Sequence, residues 1–406
     1  MYKIKSLNPP DFEPLLYKFV SGSILYDNCK SLGIDIEFDD LADVCEFKLK
    51  EILSLTSEQR GWVENFPENY GDQNDFMQLT RIKWLHLRDN PNKKLVITQR
   101  IPTIFTNFIK PLNKVIDKYN LHGRVHWVSI NPLDLKHESY CKFKIHVLNP
   151  WTNVYLENLF RARRQNWEYI SESYPMDYAT HHFVSLCGRK KFFRNYATFL
   201  LKQKRLDQKG IYSYMAWKGE VDLQKEEMNS RKLELISKGI PFDEFYNFVA
   251  THTSHLDIKD LPVDVDRVFM NRGSSAKLNR QGLINLIFES SANNSEIFIT
   301  EKIMFCFKLG RPFLLLGNKN TLKYLREEFG FKTFGYLFDE SYDDISDEVI
   351  KVQKVIEQLD IFCQKPFEVQ KKIILKHNDV LEHNKKLAAE FPHKHYFKEV
   401  LNKIYG

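Results

Sequence analysis

The sequence predicts an α/β protein whose strands lie in parallel sheets, arranged as two Rossmann-like halves. Three observations carry this. Strand and helix patterns alternate through both halves of the chain, which is the signature of βαβ units. At 406 residues the chain exceeds the size at which one hydrophobic core keeps growing, so two domains are expected. No internal repeat or low-complexity tract interrupts the alternation.

In the first half, Lys94 to Thr98 (KLVIT) and Arg124 to Ile130 (RVHWVSI) read as strands. Between them, Phe105, Phe108, Ile109, Leu112, Val115 and Ile116 recur at helical spacing within Ile104 to Tyr119. Strand, helix and strand at this distance form a βαβ unit. Phe143 to Leu148 is a further strand, stopped by Asn149-Pro150. Helical patterning is expected over Leu41 to Leu55 and Phe76 to Leu87.

The second half repeats the theme more clearly. Phe183 to Cys187 is a strand, Phe192 to Gln203 a helix and Gly210 to Trp217 a strand. Residues 222–260 read as a charged helical insertion. Strand 283–288, helix 300–309, strand 312–316 and helix 320–329 follow, then a short strand from Phe331 to Phe334. Asp344 to Leu359 is a long amphipathic helix, and Pro366 to Tyr405 reads as two more. Gly310 marks a helix stop and Gly317 a strand-end turn.

Composition narrows the class. Hydrophobic residues at 43% and charged residues at 28% are ordinary for a globular protein, while 31 Phe and 19 Tyr imply large, well-filled cores. No apolar run reaches bilayer length, and the N-terminal stretch lacks the apolar core of a signal peptide. The six cysteines (Cys29, Cys45, Cys141, Cys187, Cys306, Cys363) show no CxxC spacing, which argues against zinc and a disulfide framework. A cytoplasmic, reducing setting is expected. A net charge of +6 suits handling of nucleotide diphosphates or nucleic acid and does not choose between them.

Chemistry concentrates in Leu286 to Lys302, LIFESSANNSEIFITEK. An apolar strand runs into Glu289 and a polar loop, Ser290 to Ser295; Thr300-Glu301-Lys302 then opens a helix. The unpaired N–H groups of a first helical turn and the macrodipole favour an anion such as phosphate, and Lys302 adds a full positive charge. Glu289 and Glu301 are acceptors suited to ribose or sugar hydroxyls. The structural alternative makes Thr300 an N-cap and Glu301 a first-turn carboxylate.

Phe288-Glu289-Ser290, a spacer, then Ile299-Thr300-Glu301-Lys302 resembles the nucleotide-sugar motif of the α1,3/α1,4-fucosyltransferase family. The family pattern is an aromatic-Glu-Asn-Ser strand end followed by aliphatic-Thr-Glu-Lys; here Ser290 replaces the usual Asn and the spacer is built differently. Arg311 to Gly317 (RPFLLLG) is similar to the family's next strand and Gly turn. Phe183 to Asn195 (FVSLCGRKKFFRN) is similar to its first donor-domain strand, loop and Arg-Asn helix start. The match covers about residues 180–340 and not the first 150.

The resemblance implies a GT-B architecture: two Rossmann-like domains facing a cleft, with C-terminal helices. The expected divisions are an acceptor-side domain at 1–165, a nucleotide-sugar-binding domain at 175–365, and closing helices at 366–406. Arg194 and Lys302 would stabilise the leaving diphosphate, with Arg189, Asn195, Glu289, Ser295, Thr300 and Glu301 completing the donor site. The donor is a co-substrate, and no metal or other cofactor is implied, because Arg and Lys balance the diphosphate. Since many animal members are membrane-anchored, the lack of an anchor suggests a bacterial or viral relative.

In the basic cluster Arg189, Lys190, Lys191, Arg194, Lys202, Lys204 and Arg205, an anion cradle is assigned only to Arg189 through Arg194. The later three read as solvated charges complementing the helix dipole. Arg161, Arg163 and Arg164 read as an exposed face or a contact for an anionic acceptor. The acidic run Asp339 to Asp344 reads as a helix cap, with Asp343 or Asp344 capping, rather than a cation site. His252 and His255 lack the carboxylate partners of a metal motif, while His126 and His146 alternate within strands. The general base is not assigned; Asp72, Asp75 and Asp134 are candidates in polar loops.

The expected function is inverting transfer of a sugar from a nucleotide-diphosphate donor, GDP-linked by the resemblance, to an acceptor hydroxyl. A glycan acceptor is favoured. The alternatives are a viral enzyme glycosylating bases of duplex DNA, and a catalytically silent nucleotide-sugar or nucleic-acid binding module.

Overall fold

The computed structural model describes residues 2–5, 36–39, 44–47, 88–89, 91, 94–99, 105–129, 131–148, 176–187, 190–214, 220–252, 278–289, 292, 297 and 299–405. They belong to two compact units, Met1–Arg161 with Pro392–Gly406, and Ala162–Phe391. The helices expected to stand together at 366–406 are thus divided between the units.

In the first unit, β1 (Tyr2–Lys5) pairs in parallel with β2 (Ile36–Asp39). A separate parallel sheet runs in chain order through β3 (Val44–Phe47), β4 (Leu95–Gln99), β5 (Val125–Ser129) and β6 (Lys144–Val147). Helix α1 (Phe105–Tyr119) joins β4 to β5, forming the expected βαβ unit. Every residue of β5 is buried, as a central parallel strand covered on both faces requires. The helix expected over Leu41 to Leu55 is corrected in part: Val44–Phe47 is a strand, with Val44 opposite Val96. A Val-Cys-Glu-Phe run is short enough for tertiary pairing to override helical spacing. The helix expected at 76–87 lies outside the described residues.

The second unit is built on a parallel sheet of β7 (His181–Cys187), β8 (Gly210–Tyr214), β9 (Gly282–Phe288) and β10 (Phe313–Leu316), in the order β10-β9-β7-β8. The chain starts in the middle. It passes through α2 (Phe192–Gln203) to β8, returns past β7 to β9, then continues through α6 (Glu301–Leu309) to β10. Right-handed crossovers taken in opposite directions put α2 and α6 on opposite faces. Between β8 and β9 lie α3 (Glu220–Ser230), α4 (Lys232–Ser237) and α5 (Phe242–Thr251). This insertion is docked: Met228, Leu235, Phe245 and Val249 are fully buried, and Phe245 packs on Phe192, Tyr196 and Phe199.

Helix α6 stops where expected. Gly310 sits at φ 61°, and its N–H reaches the Phe307 carbonyl. After β10 come α7 (Thr321–Glu327), α8 (Glu348–Gln364), α9 (Phe367–Lys376) and α10 (Asn378–Glu390); α11 (His393–Tyr405) belongs to the first unit. There Lys94 donates to the Ile404 carbonyl.

Three expectations are corrected in this region. Phe331 to Phe334 is a loop, in which Phe331 stacks on Phe307 at 4.2 Å and Phe334 packs edge-on to Phe313 at 5.0 Å. The helix expected from Asp344 begins at Glu348, after a 3-10 turn at Glu340–Asp344. Its cap is Asp347, which accepts from Val349 and Ile350; Asp343 instead accepts from the Leu322 and Lys323 N–H groups at the start of α7. The two helices expected over Pro366 to Tyr405 are three, broken at His377 and at Pro392. No helix among the described residues is long and apolar enough to cross a membrane.

Candidate functional site

In an open parallel sheet, ligands gather beyond the carboxyl ends of strands where the strand order reverses. In the second unit that point lies between β7 and β9. The apolar run GLINLIF buries all seven residues of β9 and delivers Glu289 to its carboxyl end.

Glu289 is fully buried. Its Oε1 accepts the backbone N–H of Thr300 at 3.1 Å, and its Oε2 lies 3.8 Å from the Lys302 Nζ. Thr300 is the N-cap of α6, its Oγ1 accepting from the Lys302 backbone N–H at 3.4 Å. The same oxygen receives the Lys302 ammonium at 3.1 Å. The Lys302 side chain keeps 30% of its surface exposed, so a charge at the helix start remains accessible to an anion.

Arg194 reaches the same residue from α2. Its Nη2 donates to the carbonyls of Phe288 at 3.2 Å and Glu289 at 2.5 Å, and the side chain is buried. Residues distant in sequence therefore meet at one strand end: Arg194 on the Glu289 backbone, Thr300 and Lys302 on its side chain. Two cations, Arg194 and Lys302, thus stand with the start of α6 around the strand end, a setting that suits an anion.

Other predicted site residues stand elsewhere. Asn195 is wholly buried, accepting from the Tyr214 hydroxyl at 2.7 Å and donating to Gln224 at 2.7 Å, so its amide joins α2 to β8 and α3. Glu289 faces Thr300 and Lys302 rather than solvent, which removes it as an exposed acceptor for ribose. Arg189 and Ser295 lie outside the described residues, as does the side chain of Glu301.

Lys190 leaves the expected anion cradle. Its buried ammonium donates to the carbonyls of Val249 at 2.8 Å and His252 at 2.9 Å, where the negative end of the α5 dipole attracts it, and lies 4.6 Å from the Tyr214 ring centre. Lys202 and Lys204 are engaged with Asp207 at 2.6 Å and Asp360 at 2.8 Å. His252 stacks on Phe248 at 4.5 Å. Arg161, Arg163, Arg164, His255, Asp72 and Asp75 lie outside the described residues.

In the first unit, Asp134 is buried beyond the end of β5. Its carboxylate takes the Ser129 hydroxyl and the Asn131 amide, the latter at 3.2 Å. Burial raises its pKa, partly offset by the Ser129 hydrogen bond. His126 and His146 share one hydrogen bond of 2.9 Å, and burial lowers the pKa of His126 to about 4. Sequence reasoning missed this pair as an interacting unit, although their alternation in neighbouring strands was the available signal.

Lys351 was also missed. It is buried in α8 and donates to the Gly317 carbonyl at 3.0 Å. Its position in an amphipathic helix disguises it as a surface lysine. Among the described residues, no group of three or more His, Cys, Asp or Glu side chains is arranged to hold a metal ion. No protein-family model matches the sequence, nor does any curated protein.

Proposed function

We propose that this protein is a glycosyltransferase that moves a sugar from a nucleotide-diphosphate donor to an acceptor hydroxyl. One observation carries the reading: Arg194 and Lys302 converge on Glu289 at the point where the strand order of the second unit reverses. That is where an α/β sheet binds ligands, and the charge there suits a diphosphate. The resemblance of the strand–loop–helix motif to α1,3/α1,4-fucosyltransferases supports the same choice. In this reading the two units form a GT-B pair, the first receiving the acceptor and the second the donor.

The chemistry requires negative charge to be neutralised as the diphosphate departs. Preorganised cationic and N–H donors supply such stabilisation, often worth several kcal/mol. Lys302 and the first turn of α6 meet the phosphates; Arg194 holds the strand end and adds its charge. A single inverting displacement further needs a base for the acceptor proton. A glycan acceptor is preferred. The test is a thermal-shift panel of GDP- and UDP-linked sugars, followed by transfer assays. A ligand at ~100 times its Kd adds about 2.7 kcal/mol of stability, so failure of the whole panel to shift the melting point rejects the reading.

A second reading, a donor-binding module without transfer activity, is favoured by Asp134. The one base candidate within the described residues is committed to Ser129 and Asn131. Hydrolysis of a bound donor in the absence of acceptor rejects the silent module; binding without hydrolysis or transfer supports it.

A further inference from the structure

Lys351 is an unusual residue to find 1% exposed inside a helix. Burying an ammonium is costly unless its surroundings reward the charge. Its Nζ lies 3.0 Å from the Gly317 carbonyl, immediately beyond the carboxyl end of β10. Gly317 is also the neighbour of Glu289: a Cβ built on it meets the Glu289 Cγ at 3.5 Å. The Glu289 N–H donates to the Leu316 carbonyl at 2.9 Å, binding the two strand ends together. Lys351 thus holds the backbone against which the Glu289 side chain rests.

We infer that Lys351 is a positioning residue for the diphosphate site, whose ammonium steadies the Gly317–Glu289 edge and adds a positive charge beside it. The inference rests on reading that edge as the diphosphate site, and adds how the site is regulated. The surrounding charges are Asp343 and Asp344 from the 3-10 turn and Lys319 from the loop after β10, with Glu289, Lys302 and Arg194 at the neighbouring strand end. Asp343 is engaged with the N–H groups of Leu322 and Lys323, so the Gly317 carbonyl is the hydrogen-bond acceptor that the ammonium contacts.

Burial lowers the pKa of Lys351 to about 8, with Asp343 opposing the shift. The charge is therefore present at neutral pH and lost as pH rises through that value. Removing a unit charge about 10 Å from an anion, in a medium of effective dielectric ~20–40, weakens binding about four- to sixteenfold.

The experiment measures Kd for GDP-fucose and UDP-glucose by calorimetry from about pH 6.5 to about 9.5. It compares the parental protein with Lys351→Met and Lys351→Arg. The expected result is a parental affinity that falls about four- to sixteenfold across the window, while the Arg variant stays flat and tight and the Met variant stays flat and weak. A lysine that acts only through its hydrogen bond to Gly317 also separates Arg from Met, so the parental pH step, absent from both variants, is the deciding readout. A flat parental profile, or the same step persisting in Lys351→Met, overturns the inference while leaving the donor site intact. If the Met variant does not fold, the parental and Arg profiles decide. No binding of either sugar nucleotide at neutral pH overturns the donor site and this inference together.

Discussion

Arg194 and Glu289 are joined through the backbone of Glu289, not its carboxylate: the guanidinium donates to that residue's carbonyl at 2.5 Å. The carboxylate is thereby left to Thr300 and Lys302. This division of labour makes Arg194 part of the fold as well as part of the charge. Arg194→Ala leaves the buried carbonyls of Phe288 and Glu289 short of a donor, and a loss of about 2 kcal/mol is expected in urea unfolding. Unchanged stability contradicts the assignment.

Lys302 separates binding from stability. Lys302→Ala strips the buried Glu289 of its cation and is expected to cost about 1 kcal/mol, together with weaker diphosphate binding. Adding Glu289→Gln removes the charge that needed balancing. The double variant should recover stability and not recover binding, as read by parallel melts and titrations. Recovery of both makes Lys302 a structural counter-ion alone.

Lys190→Met tests the revised place of that lysine. Loss of its hydrogen bonds to Val249 and His252 should loosen the end of α5 by about 1–3 kcal/mol while leaving nucleotide affinity unchanged. A folded variant with at least tenfold weaker binding restores Lys190 to the anion site.

The His126–His146 pair predicts an acid-sensitive first unit. Burial holds the folded pKa of His126 near about 4, below the ordinary value of 6.5, so the unfolded chain binds more protons between those values. Stability due to the neutral imidazole is full above 6.5 and falls as pH drops towards about 4. Between neutral pH and pH ~5 the loss is about 2 kcal/mol, with the titration belonging to the pair. His126→Phe should flatten that slope in urea titrations; an unchanged slope removes the pair as its cause.

Gly282 opens β9 where space is absent. A Cβ there meets the Ile284 carbonyl oxygen at 2.6 Å and the Val184 nitrogen at 2.8 Å, both backbone atoms. Gly282→Ala should therefore cost about 1–3 kcal/mol by forcing β9 away from β7. An alanine variant melting with the parent shows that the strands yield freely.

Periodicity alone made the second unit legible. Phe192 to Gln203 coincides with α2, and β7, β9, α6 and β10 lie within two residues of expectation, because each is a long or strongly apolar run, with Gly, Thr or Pro marking the ends of α6 and β10. The same logic misread Phe331 to Phe334, since two aromatics at the ends of a short run record burial on neighbours and do not require a strand partner. Local composition also offered the Thr300 cap as one of two readings and marked Gly310 as a stop.

What periodicity cannot contain is strand order, and strand order decides the candidate site. Nothing local to Phe193-Arg194-Asn195 distinguishes an arginine bound for the β9 end from an asparagine bound for Tyr214 and Gln224. On a helix, successive side chains point about 100° apart, so adjacent residues meet different neighbours once the sheet is assembled. The sequence alone determined the α/β class, most strands and helices of the second unit and a cationic helix start at Lys302. Only the tertiary structure decided that β9 lies beside β7, bringing Arg194 to Glu289, turning Lys190 inward and burying Lys351 at Gly317. The reason is physical: those contacts join residues far apart in the chain, and their partners are set by packing.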